Sequence, residues 1–146
     1  MNNHDFLSRI PESVKARLPQ ELHRFQTRQT GTLVKLYYKD LAIHYEVWLQ
    51  RRTDRIEIGL HFEGEREENH RWLERLSQHF DHIYRRLGPE MEMEEWTAKW
   101  TRLHQTTPLT PLDERRLQEA VQRLAQMIVV LQPLLKEAGP SEDVIL

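Results

Sequence analysis

Histidine and glutamate alternate with bulky apolar residues in two short segments that lie close together in the sequence. The first segment carries His44 and Glu46, and the second carries His61 and Glu63. Neighbouring imidazole and carboxylate groups can bind a divalent metal ion or act as an acid–base pair. On a solvated sheet face the same residues form cross-strand pairs, each worth only ~0.2–1 kcal/mol of stability. Both interpretations require the two segments to form neighbouring strands.

Other chemistries have weaker signals or none. The chain has no cysteine, which excludes disulfides, thiolate metal sites and cysteine nucleophiles. Its five glycines are scattered and form no phosphate-binding loop, and no serine lies in a nucleophile elbow. We therefore assign no catalytic residue and expect no cofactor, and the sequence favours a non-enzyme.

The two His/Glu segments predict a β-hairpin with one apolar face. In residues 43–50 and 56–63, apolar and polar side chains alternate with the period of a half-buried strand. An even-length loop centred on Thr53-Asp54 would place both apolar sets on the same side. The predicted pairs are Leu49–Ile58, Val47–Leu60 and Tyr45–Phe62 on the apolar face, and Trp48–Gly59, Glu46–His61 and His44–Glu63 on the reverse face.

The remaining segments predict an α+β domain with a mostly antiparallel sheet of about four strands. A strand over residues 33–38 precedes the hairpin, completing a meander. A crossover helix over residues 66–87 covers the apolar face. The strand that follows, residues 90–96, should run parallel to the strand before that helix.

The whole chain, residues 1–146, is predicted to be one domain. Residues 1–30 are N-terminal helices, with Pro11 and Pro19 at starts or breaks and a polar connection from residue 26. Thr110 is the expected N-cap of the last helix, with Asp113 completing a capping box. The predicted parts are the N-terminal helices (1–30), the sheet with its crossover helix (31–103), a linker (104–110), the C-terminal helix (111–138) and a tail (139–146).

The C-terminal helix has a broad apolar seam with coiled-coil-like spacing. It is expected either to pack within the chain, over Leu33, Tyr37 and Trp48 on the free face of the sheet, or to form a homodimer interface. The five seam residues are Leu117, Val121, Leu124, Ile128 and Leu131.

A basic cluster at the hairpin tip is the candidate nucleic-acid contact. Arg51, Arg52 and Arg55 lie there with Trp48 nearby, and such tips can follow a phosphate backbone. Solvated loop charges explain the same residues. The net charge of −2 predicts no bulk attraction to nucleic acid or to a membrane surface. Without a signal peptide or a stretch of about 20 apolar residues, the chain is expected to be cytoplasmic and not membrane-embedded.

Residues 43–103 resemble an uncharacterised domain family. The resemblance is carried by His-Tyr-Glu-Val-Trp-Leu-Gln, by Ile-Glu-Ile-Gly-Leu-His-Phe-Glu, and by the helix ending Arg-Arg-Leu-Gly-Pro-Glu-Met-Glu-Met-Glu-Glu-Trp. Members of that family often form a C-terminal module on restriction-endonuclease-like or other DNA-handling proteins. The resemblance implies an association with DNA processing and supplies no catalytic residue.

Three functions follow as hypotheses. The first is a non-catalytic interaction or regulatory module whose partner is another protein or a second copy. The second is a nucleic-acid-associated accessory protein of a DNA-processing or defence system. The third is a metal-dependent hydrolase that uses the His/Glu face of the hairpin.

Overall fold

A computed structural model describes residues 1–137 of the chain. The fold is α+β, as predicted, and within these residues it contains four α-helices and six β-strands. The predicted tail, 139–146, and the last residue of the predicted C-terminal helix lie outside the described residues. In chain order the elements are α1 (Asn3–Lys15), a 3₁₀ turn (Gln20–Leu22), β1 (Gln26–Gln29), β2 (Leu33–Tyr37), β3 (Ile43–Gln50), β4 (Arg55–Phe62), α2 (Arg66–Ser77), α3 (Phe80–Leu87), β5 (Glu92–Glu95), β6 (Thr101–Pro108) and α4 (Glu114–Glu137).

The six strands form one sheet in the order β1-β2-β3-β4-β6-β5, with every neighbouring pair antiparallel. The expected four strands were therefore too few. β1 replaces part of the predicted polar connection, and all four of its residues are exposed. A strand solvated on both faces carries no apolar alternation, so periodicity could not reveal it.

The predicted linker, residues 104–110, was also wrong, because β6 continues through Pro108. A turn over residues 96–100 joins β5 to β6, and β6 takes the position beside β4. β5 runs in the same direction as β4, as predicted, but β6 lies between them. No parallel pair forms within the described sheet.

The β3–β4 hairpin has the predicted faces but a register shifted by two residues. Val47 pairs with Ile58, and Gln50 pairs with Arg55 to close a four-residue loop. Asp54 adopts a left-handed φ of 56°, which aspartate tolerates better than most residues. Because side chains alternate with a period of two, a shift by two keeps each residue on its predicted face.

The helices differ from prediction mainly at their ends. Pro11 lies inside α1 and does not break it. The predicted helix over residues 66–87 is two helices, since α2 ends at Ser77 and α3 begins at Phe80. Asp113, not Thr110, caps α4: its carboxylate accepts a hydrogen bond from the Arg116 backbone N–H at 2.9 Å. No helix among residues 1–137 combines the length and apolarity needed to cross a bilayer.

The helices pack on the apolar face of the sheet. Trp72 of α2 stacks on Phe62 of β4, with ring centroids 5.8 Å apart. The Tyr45 hydroxyl donates a hydrogen bond to Gln132 of α4 at 2.9 Å. α4 therefore shares this face with the other helices, and its predicted position over Leu33, Tyr37 and Trp48 was wrong. The polar side chains of β3 and β4 lie on the opposite face of the sheet, together with Trp48.

Candidate functional site

The polar face brings together the four residues that the sequence singled out. β3 and β4 pair His44 with His61 and Glu46 with Gly59, while Glu63 follows the end of β4. The predicted opposing pairs Glu46–His61, His44–Glu63 and Trp48–Gly59 were wrong by the two-residue shift. The four side chains nevertheless converge: one potential ligand atom from each lies within 4.8 Å of the others.

His44 is oriented by a backbone carbonyl. Its Nδ1 lies 2.8 Å from the carbonyl oxygen of Leu41, so an Nδ1–H donates there. Its Nε2 faces carboxylates, 3.0 Å from Glu46 Oε1 and 3.8 Å from Glu63 Oε2. A histidine held by one nitrogen in this way offers the other to a proton or to a metal ion.

His61 is held between two carboxylates. Its Nε2 lies 2.7 Å from Glu57 Oε1, and its Nδ1 lies 3.1 Å from Glu63 Oε2. Burial lowers the pKa of His61, but the hydrogen bonds to Glu57 and Glu63 and the charge of Glu46 outweigh burial and raise it to about 9. The ring is therefore an imidazolium at neutral pH when no metal is bound.

Gly59 supplies the space in which this cluster forms. It lies between Glu57 and His61 on the same face of β4, and these side chains meet across it. A Cβ at Gly59 would lie 2.5 Å from the Cβ of His104 and 2.8 Å from the carbonyl oxygen of Leu103. The strand has no room for a larger residue here.

A second set of charged side chains extends the cluster across the sheet. Glu57 is fully buried and lies 3.7 Å from Arg102 Nη1 and 3.6 Å from His104 Nδ1. Arg102 pairs with Glu94 at 2.5 Å. Burial and the Arg102 charge lower the pKa of His104, which favours the neutral imidazole. The ligand atoms of Glu92, Glu94 and His104 form a second cluster, but the Glu94 carboxylate is already ion-paired with Arg102.

Tryptophans cover the polar face. The ring of Trp96, from the β5–β6 turn, lies 5.4 Å from His61 and 6.2 Å from Trp48, centroid to centroid. The Arg102 guanidinium also lies over the Trp96 ring, 4.8 Å from its centroid. The exposed fractions of the His44, Glu46, His61 and Glu63 side chains are only 0%, 3%, 0% and 12%. A substrate has little access to these groups, which favours binding of an ion over catalysis on a larger molecule.

Sequence reasoning missed Glu57, Arg102, His104 and Trp96. The signal for Glu57 was present, because it shares the parity of His61 and Glu63 on β4. The other three depend on the β5–β6 hairpin, which the sequence pattern did not predict. Their position on the face could not be predicted without that hairpin.

The basic hairpin tip is not one continuous free patch. Arg51 donates to Asn3 at 2.5 Å, and Arg55 donates to the side chain and carbonyl of Thr106 at 3.0 and 2.9 Å. Arg52 is exposed in the loop. Trp48 is half-buried and lies against Trp96, on the polar face. The nucleic-acid contact remains a prediction, with two of its three arginines engaged within the chain.

The five residues of the predicted dimer seam are fully buried within the chain and unavailable to a second copy. They pack in the core between α4, the sheet and the other helices. Intramolecular packing is therefore the alternative that the structure adopts. The residues are Leu117, Val121, Leu124, Ile128 and Leu131, each with 0% exposure.

The donor set fits a Zn²⁺-like ion. Zinc binds imidazole nitrogen and carboxylate oxygen at ~2.0–2.2 Å, which places tetrahedral ligand atoms about 3.4 Å apart. Here the distance from His61 Nδ1 to Glu63 Oε2 is 3.1 Å, and the distances from His44 Nε2 to Glu46 and Glu63 are 3.0 and 3.8 Å. These three distances are close to tetrahedral spacing, and all four ligand atoms lie within 4.8 Å of one another.

Comparisons with known proteins supply no relative from which a role can be transferred. The resemblance of residues 43–103 to a module of DNA-handling proteins therefore stays a prediction. No family of known proteins, no curated protein and no solved structure matches this chain.

Proposed function

We propose that this protein is a non-catalytic regulatory module that binds a Zn²⁺-like divalent ion through His44, Glu46, His61 and Glu63. The observation that carries the proposal is the convergence of their four ligand atoms within 4.8 Å on a buried sheet face. Two strands and the segment after β4 contribute these ligands. A bound ion would therefore crosslink β3, β4 and the segment that follows β4.

The hydrogen bonds around the histidines support this assignment. Metal-binding histidines usually donate their second ring N–H to a carbonyl or a carboxylate, which orients the ring. His44 has the Leu41 carbonyl in that role, and His61 has the buried carboxylate of Glu57. The nitrogen left over on each ring faces Glu63 Oε2.

The number of protein ligands favours a non-catalytic role over the hydrolase alternative. Structural zinc sites are closed by four protein ligands, whereas catalytic sites leave a position for water. His44, Glu46, His61 and Glu63 can fill all four positions, and the cover formed by Trp96 limits access. A hydrolase would need one of these ligands to leave. The predicted cytoplasmic location and the accessory role in DNA processing remain predictions beside this proposal.

Metal titration tests the proposal directly. The metal-stripped protein is titrated with Zn²⁺ by calorimetry in buffers of different ionisation enthalpy. We expect one ion per chain and net proton release near pH 7, because the pKa of His61 is about 9 and the proton must leave before the nitrogen can coordinate. Binding of a tetrahedral Co²⁺ ion should produce its visible absorption band.

Two histidine variants separate this site from adventitious binding. His44→Gln should lose high-affinity binding, while His82→Ala, which removes an exposed histidine on α3, should bind like the wild type. Circular dichroism establishes that each variant is folded. Absence of stoichiometric binding by the folded wild-type protein would refute the proposal, and so would equal binding by a folded His44→Gln protein.

A further inference from the structure

A small acidic cavity opens beside the cluster, at the end of the sheet. Its volume is about 400 Å³. It lies where the β2–β3 loop, the segment after β4 and the first turn of α2 meet. Its lining residues are Asp40, Ala42, Ile43, Glu63, Gly64, Glu65, Glu68, Asn69 and Trp72.

Glu63 belongs both to this cavity and to the proposed metal site. It is also the most exposed of the four ligands, with 12% of its side chain accessible. A larger cavity of about 570 Å³ adjoins the first and shares Asp40, Ile43, Glu68 and Trp72 with it, but none of the four ligands lines it. Of these two cavities, the smaller one is therefore the cavity that a residue of the cluster lines.

The side chains that line the smaller cavity carry charge of one sign, while the ammonium group of Lys35, which does not line it, lies 3.7 Å from Glu63 Oε1. Four of its lining residues carry carboxylates, Asp40, Glu63, Glu65 and Glu68, and no lysine, arginine or histidine lines it. Glu65 and Glu68 lie at the N-terminus of α2, where negative charge also offsets the helix dipole. Asp40 instead lies in the β2–β3 loop, where it accepts a hydrogen bond from the Ala42 backbone N–H at 2.9 Å. Carboxylates from separate elements thus face one space.

We propose that this cavity is the entry route of the divalent ion, and that Asp40, Glu65 and Glu68 steer the ion to Glu63. The inference rests on the proposed metal site. A cleft lined by charges of one sign focuses the electric field and raises association rates by ~10–1,000-fold for an oppositely charged ligand. Glu63 then acts as the first ligand, at the boundary between the cavity and the buried histidines.

Association kinetics test this route. Zn²⁺ is mixed rapidly with the metal-stripped protein, and tryptophan fluorescence is followed because the Trp96 ring lies against His61. The test protein carries Asp40→Asn and Glu68→Gln, since Asn retains the acceptor for Ala42 and Gln retains the size of Glu68. The control carries Glu12→Gln and Glu74→Gln, which remove the same charge from exposed helical positions outside the cavity.

The association rate constant of the test protein should be about tenfold lower than that of the control at low ionic strength. The difference should shrink at high salt, as the screening length falls from ~30 Å at 0.01 M to ~3 Å at 1 M. Dissociation should change less. In the unmodified protein, the association rate should itself fall with added salt, which provides a second measurement if the double variant misfolds.

The outcomes separate the two proposals. Equal association rates for test and control proteins, with stoichiometric binding retained, would overturn the entry route and leave the metal site standing. An association rate of the unmodified protein that is insensitive to salt would also overturn the route. Failure of the unmodified protein to bind Zn²⁺ in the equilibrium titration would refute the proposed function itself.

Discussion

Replacing Gly59 with alanine should damage both the stability of the sheet and the metal site. Gly59 does not have a left-handed backbone conformation, so its role is one of space and not of torsion. An added Cβ would approach the His104 Cβ to 2.5 Å, the Leu103 carbonyl oxygen to 2.8 Å and the His104 Cα to 3.0 Å. These atoms belong to or adjoin the backbone of β6, so they cannot move aside as the end of a flexible side chain can.

The expected magnitude follows from two opposing effects. Overpacking a close-packed site costs ~1–3 kcal/mol, and the short contacts to backbone atoms favour the upper part of that range. Alanine also lowers the conformational entropy of the unfolded chain, which stabilises the folded protein by ~0.4–1 kcal/mol. The net loss in the free energy of unfolding should be about 2 kcal/mol, equivalent to a melting temperature lower by roughly 6 °C for a protein of this size.

Thermal and urea unfolding measure this loss, and Gly31→Ala is the matched control. A Cβ at Gly31 meets no atom within 4 Å, so that variant should differ from the wild type by less than about 0.5 kcal/mol. Gly59→Ala should also weaken Zn²⁺ binding by ~10–100-fold, because moving β6 displaces Arg102 and His104, which contact Glu57, the partner of His61. If the two alanine variants unfold and bind zinc alike, the packing argument and the role of Glu57 are both wrong.

Three further predictions use the same structure. Glu57→Gln should weaken Zn²⁺ affinity by ~10–100-fold while one ion per chain still binds, measured by competition with a chelator; an unchanged affinity would contradict the orienting role of Glu57. The pKa of His61 is raised from 6.5 to about 9, so protonated His61 stabilises the folded metal-free protein by roughly 3 kcal/mol. This contribution is complete below pH 6.5 and is lost as the pH rises above 9. Urea unfolding at several pH values checks that slope, and a flat profile between pH 6 and 10 would count against it. Leu124→Ala should lower the free energy of unfolding by about 3 kcal/mol, because it leaves a cavity in the core, and should leave the sedimentation coefficient unchanged. If the substitution instead converts a dimer to monomers, the predicted dimer interface on α4 is correct.

The apolar alternation of the sequence predicted the faces of the sheet but not its edges or exact pairing. Val47 and Leu60 are fully buried on one face, and His44 and His61 lie together on the other, as the alternation requires. The register depended on the turn, where Asp54 in a left-handed conformation closes a four-residue loop. Apolar side chains are equally well buried in registers that differ by two, so alternation alone could not choose between them.

The candidate site was only partly predictable for the same reason. His44, Glu46 and His61 lie on strands with a clear alternation, Glu63 follows β4, and a shift of two residues kept all four on one face. Of the residues that complete the cluster, Arg102 and His104 come from β6 and Trp96 comes from the β5–β6 turn. β6 contains several threonines and few large apolar residues, and it follows a strand that the sequence placed in a different arrangement. The sequence also carried no sign that Trp96 would cover the polar face.

The burial of this cluster is the strongest physical reason to expect a function for it. A surface pairing of histidine and glutamate would contribute little, and hydrophobic residues would fill a covered sheet face at lower desolvation cost. The chain instead buries Glu46, Glu57, His44 and His61 almost completely and leaves Glu63 at an acidic opening. In the absence of metal, the proton on His61 supplies part of the positive charge that these carboxylates need. A divalent ion would displace the proton of His61, so Zn²⁺ affinity should increase from pH 6 to about pH 9, where His61 of the metal-free protein loses that proton.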